Sequence, residues 1–94
     1  MTVRWSTRAV DDLESICEFV ERDSPEAARR IAQTICDGCE SLSQFPLRGR
    51  SHKSHAGVRE LVFAPLPYIA VYRVIGNAIE IIGVYHGARV KYRL

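Results

Sequence analysis

Along the first half of the chain apolar residues recur every three or four positions, and along the second half they alternate or run in short blocks. Ala9, Val10, Leu13, Ile16, Cys17 and Val20 fall on one stripe of a helix, with Asp11, Asp12, Glu14, Glu18 and Glu21 largely on other faces. A second stripe runs through Ala28, Ile31, Ile35, Cys39 and Leu42. Ser6 or Thr7 can cap the first helix; Ser24 caps the second, with Pro25 at its first position and Pro46 beyond its end. The helical region thus spans about residues 8 to 44, and its short connection predicts an antiparallel hairpin. Before it, Thr2 to Trp5 is a short strand with Val3 and Trp5 on one side. After it come three β-rich runs, Val58 to Phe63, Tyr68 to Val74 and Ile79 to Tyr85, the last two joined by a tight turn at Gly76-Asn77. The predicted order is β-α-α-β-β-β, an α+β fold in which the helical hairpin packs on an antiparallel sheet. Trp5 and Phe45 read as core residues closing the helices on that sheet.

Ninety-four residues make a single domain, 1–94, and 47% apolar with 26% charged residues is the composition of an ordered globular chain. No apolar run reaches the length of a membrane span or a signal peptide, so a cytoplasmic protein is expected. The net charge of +2 conceals an asymmetry. Residues 1–47 carry five arginines against nine acids, and residues 48–94 carry eight Lys or Arg against two. An anionic partner is therefore expected at the second half. Its basic stretch Leu47 to Gly57 has two glycines and no apolar period, and reads as an exposed loop.

Several residues could carry chemistry. Arg59 shares a strand face with Leu61 and Phe63, and Arg73 lies between Val71 and Ile75. An arginine in an apolar strand is costly to bury unless it has an anionic partner or reaches a groove edge. Glu60 or Glu80 would supply it structurally, whereas a phosphate or a partner's carboxylate would make the arginine functional. His86 closes the last strand beside Tyr85 and could move a proton near neutral pH, or simply hold a structural hydrogen bond. His52 and His55 lack a third ligand, and Cys36 and Cys39, three apart on a helix, read as buried packing rather than as a redox or metal motif. No metal and no cofactor are expected.

Taken in order, Trp5, Ala9, Asp12-Leu13, Ile16, Phe45-Pro46, Gly49-Arg50, Gly57-Val58-Arg59-Glu60-Leu61, Tyr72-Arg73-Val74 and Ile82 through His86 resemble the RelE/ParE toxins of type II toxin-antitoxin systems, over nearly the whole chain. The resemblance implies a toxin that arrests growth unless a cognate antitoxin holds it in a hetero-oligomer. In the ParE-like branch the target is DNA gyrase and no catalytic residue is expected; in the RelE-like branch the toxin enters the ribosome and cleaves mRNA, and Arg59, Arg73, His86 and Tyr85 match its basic and acid-base positions. The long amphipathic hairpin, the small net charge and the single lysine, Lys53, ahead of the central strands favour the ParE-like branch. An antitoxin is expected to lie across Leu13, Ile16 and Val20 of the hairpin, with carboxylates answering Arg50, Arg59, Arg73 and Arg89.

Overall fold

A computed structural model describes residues 1–87; Arg89 and the rest of the tail lie outside the described residues. The element order is β1 (Thr2–Trp5), α1 (Thr7–Glu21), α2 (Pro25–Ser41), β2 (Arg50–Ser51), β3 (Val58–Val62), β4 (Tyr68–Ile75) and β5 (Ala78–His86). Both helices start where their caps predict. Ser6 Oγ accepts the Ala9 amide at 3.0 Å and Ser24 Oγ accepts the Ala27 amide at 3.1 Å, each satisfying one otherwise orphaned N–H, and Pro25 opens α2. Helix α2 ends at Ser41, several residues before Pro46. At Gly76, φ is +56°, the left-handed conformation that lets the β4–β5 hairpin turn within two residues.

The five strands form one sheet in the order β1-β5-β4-β3-β2. Three of the four pairings are antiparallel, as expected, but β1 lies parallel to β5, with Val3 opposite Ile79 and Trp5 opposite Ile81, so the sheet is mixed. The helical hairpin carries the chain away from β1, and the strand that returns beside it runs in the same direction. The two-residue strand β2 also emerges within the stretch read as a loop, paired to Arg59 and Glu60.

Directly opposed residues of an antiparallel ladder share a face. Tyr72, opposite Arg59 on β3 and Ile81 on β5, therefore marks the face covered by the helices. There Leu61, Phe63, Ala70, Tyr72, Ile79 and Ile81 meet Ile35, Cys39 and Leu42 of α2 and its end, and Ala9 of α1, in one buried cluster. Val58, Arg73 and Glu80, opposed in register, mark the other face. Trp5 packs against the core, but Phe45 does not: it is 60% exposed, in the connection between α2 and β2 where no helix or strand stripe directs it inward. Cys39 is buried as expected, whereas Cys36 is exposed. A three-residue step along a helix rotates by about 300°, enough to carry a residue at the edge of a stripe out of the core.

Candidate functional site

Helix α1 does more than cover the sheet. Strand β1 pairs with β5 only from Ala78 to Ile81, and the start of α1 takes over the edge beyond. The Ser6 amide donates to Ile81 O at 3.0 Å, Ser6 Oγ donates to Ile82 O at 2.9 Å, and Asp12 Oδ2 accepts the Val84 amide at 3.0 Å. These contacts fix α1 against the strand that ends in Tyr85 and His86. Asp12, which the sequence places among the polar-face acids and within a motif, supplies the contact farthest along α1 in this attachment, and Ser6 supplies the other two. Asp12→Ala strands a partly buried amide and is expected to destabilise the fold by about 1–3 kcal/mol, with Asp12→Asn recovering most of it. Urea titrations of the two variants check this; equal losses would show that the carboxylate charge, not the hydrogen bond, matters.

The same helix holds Tyr85. The Arg8 guanidinium lies 5.4 Å from the centre of its ring, and burial raises the phenol pKa above its ordinary value, so the hydroxyl is protonated at neutral pH. His86 is exposed and meets Tyr68 edge-on, ring centres 5.6 Å apart.

The arginines are placed differently again. Arg73 bonds Glu80 on the uncovered face at 2.8 Å, the structural pairing that the sequence allows. Glu60 pairs with Arg50, at 3.0 Å. Arg59 projects on the helix side and donates to two backbone carbonyls, Gly49 O at 2.8 Å and Leu47 O at 3.5 Å. Arg59 and Arg73 therefore stand on opposite faces of the sheet. His86 is opposite Tyr68 and Glu80 is opposite Arg73, five residues apart along β4. At about 3.3 Å per residue, His86 and the Arg73 pair are separated by roughly 17 Å along the strand. The four residues picked out for acid-base chemistry are not gathered at one point.

Of the hairpin residues expected to meet a partner, Leu13 and Ile16 are half-buried and pack against the core, and Val20 is half-buried. The apolar side chains that α1 turns outward are Val10 and Phe19, the latter 69% exposed. No group of three metal-binding side chains occurs among the described residues, and no described helix is long and apolar enough to cross a membrane.

What the sequence does not reveal is how the segment joining α2 to β2 is held. Tyr72, wholly buried, accepts the Gly49 amide at 2.9 Å through its hydroxyl and donates to Pro46 O at 2.8 Å. Gly49 leaves no room for a side chain: a Cβ there would stand 2.8 Å from Glu60 O and 2.7 Å from the Tyr72 ring. With Arg59, beside Tyr72 on the same face of the sheet, also holding Leu47 and Gly49, the backbone of Pro46 to Gly49 is tied down while Phe45, Leu47 and Arg48 face solvent. The signal was present as Phe45-Pro46 and Gly49-Arg50, but sequence alone does not say that a distant tyrosine binds both ends.

Comparison with known proteins agrees with this architecture. Residues 3–91 match the family model of the ParE toxin of the type II toxin-antitoxin system parDE. The toxin RelE2 of Caulobacter vibrioides is 38% identical over 87 residues, 93% of this chain and 96% of that protein. A solved structure of the chromosomal ParDE toxin-antitoxin system from P. aeruginosa superposes with a TM-score of 0.79 at 30% identity, covering 92% of this chain and 95% of the matched one. The YoeB/ParE toxin from Agrobacterium tumefaciens shares the fold, with a TM-score of 0.66 at 22% identity over 92% of this chain and 98% of that one. With a mixed sheet under a helical hairpin and a family match over almost its whole length, the chain belongs to the ParE toxins of the RelE/ParE superfamily of type II toxin-antitoxin systems, a membership that implies a cognate antitoxin.

Proposed function

We propose that this chain is a ParE-like toxin that acts in the cytoplasm by poisoning DNA gyrase, by binding rather than by catalysis, and that a cognate antitoxin neutralises it in a hetero-oligomer. The observation that carries this reading is the dispersal of the ribonuclease candidates. Cleavage of RNA through a 2'-hydroxyl needs a base, an acid and cationic groups around one phosphate, within hydrogen-bond reach of the reacting atoms. Here Arg59 is engaged by carbonyls of the connection between α2 and β2, Arg73 is paired with Glu80 on the opposite face, and His86 stands at the far end of the strand. Binding a protein target asks for no such convergence.

The second reading, a ribosome-dependent mRNA endoribonuclease using Arg59, Arg73, His86 and Tyr85, is favoured by the identity with a relative called RelE2. The two are separated by titrating the purified toxin into a gyrase supercoiling and cleavage assay and, in parallel, into a ribosome programmed with mRNA. Linear DNA accumulating with mRNA intact is the expected result, and His86→Ala is expected to inhibit gyrase within about twofold of the parent. Cleaved mRNA with gyrase unaffected, and a loss of about 100-fold or more in His86→Ala, would establish the ribonuclease.

A further inference from the structure

We propose that the segment Phe45–Arg48, between α2 and β2, is a pre-organised docking element for the cognate antitoxin, and that it receives an extended segment with apolar side chains flanked by a carboxylate. This rests on the antitoxin part of the reading above and is independent of whether gyrase or the ribosome is the target.

Phe45 and Leu47 are 60% and 65% exposed, two large apolar side chains on either side of Pro46. Exposed apolar groups on a loose loop would cost ordering entropy on binding. These sit on backbone already fixed by the Tyr72 hydroxyl at Pro46 and Gly49 and by Arg59 at Leu47 and Gly49. A rigid turn presenting anchors loses little freedom when a partner arrives, so more of the contact energy appears as affinity.

Charge narrows the occupant. Arg50 and Arg73 are already paired with Glu60 and Glu80, so a partner's carboxylate would have to compete with an internal one. Arg48 has no acidic partner among the described residues; its guanidinium donates to the Ser41 hydroxyl at 2.8 Å, a neutral group that orients it. Arg48 also joins two shallow surface depressions. One runs from Gln44 to Arg48 beside Phe45 and Leu47, and the other lies between α2 at Asp37 and Gly38 and the end of β3 with the residue after it, Leu61 to Phe63. A segment laid along both places apolar side chains at Phe45 and Leu47 and a carboxylate at Arg48. Asp37, on the wall of the second depression, disfavours a further acid there.

The test uses the full-length toxin and, as the probe, the purified product of the reading frame adjoining the toxin gene. Phe45→Ala, Leu47→Ala and Arg48→Glu alter exposed side chains, and circular dichroism and urea midpoints confirm that each is folded. Each is expected to raise the dissociation constant at least about tenfold. For Arg48→Glu the affinity is also expected to lose part of its dependence on salt. Parental affinity in all three folded variants would overturn the proposal. Loss of gyrase or ribosome inhibition with parental antitoxin affinity would overturn it too, and would assign the segment to the target instead. If the parent inhibits neither target, the binding comparison still decides the proposal.

Discussion

Raising the pH from 9 to 12 is expected to remove about 3 kcal/mol of stability through a single side chain, Cys39. This thiol is wholly inaccessible within the core, and burial, with smaller contributions from Cys36 and Glu40, pushes its pKa up from 9.0 to about 12. The folded protein therefore holds the thiol proton more tightly than the unfolded chain does. Its contribution is fully present below pH 9 and is lost as the pH climbs towards 12, at up to about 1.4 kcal/mol per pH unit. A domain of this length has roughly 5–14 kcal/mol in total, so the loss is a large fraction. Tyr72, whose pKa is raised chiefly by burial, acts in the same direction above pH 10. Urea midpoints between pH 8 and 11 measure the slope. Cys39→Ala should be less stable than the parent at pH 8 because of the cavity it leaves, yet lose less stability per pH unit. Parallel slopes for the two proteins would mean that Cys39 does not carry the effect.

The second large effect is expected from Tyr72→Phe, a change of one oxygen. Volume is preserved, so no cavity forms, but the buried Gly49 amide loses its acceptor and Pro46 O loses its donor. An orphaned buried N–H costs about 1–3 kcal/mol and the second bond about 1 kcal/mol more, together about 3 kcal/mol. In a domain this small that corresponds to a fall in Tm of roughly 12–24 °C. Differential scanning calorimetry gives the shift directly, and hydrogen exchange locates it. The amides of Leu47 to Gly49 should exchange faster in the variant even under conditions where global unfolding is rare. A Tm within a few degrees of the parent would show that water replaces the hydroxyl and that the segment does not depend on this clamp. That result would leave Arg59, which grips the same segment from β3, as the dominant tie.

Both predictions concern residues whose importance was only partly visible beforehand. Cys39 sat on the apolar stripe of α2, and its burial follows from period alone, since its neighbours on that stripe, Ile35 and Leu42, are wholly buried with it. Cys36, three residues earlier in the same helix, lies outside the core. Tyr72 appeared as a strand residue next to a more conspicuous arginine, and nothing local says that its hydroxyl reaches 26 residues back to Pro46. Phe45 looked like core because it is large and apolar. It lies between α2 and β2, outside both periodic elements, so no stripe turns it inward.

Local pattern was sufficient where the physics is local. Helix period, the caps at Ser6 and Ser24, Pro25 at the start of α2 and Gly76 in the hairpin turn each act within a few residues, and the helices and strands lie close to where those signals set them. The ordered motifs also pointed to the family. Tertiary structure alone decided the parallel pairing of β1 with β5, the use of Asp12 as an edge partner for Val84, and the division of Arg59 and Arg73 between two faces. A strand's neighbour and register come from closing long loops around a common core, and the sum of many weak contacts, not any one residue's preference, selects them.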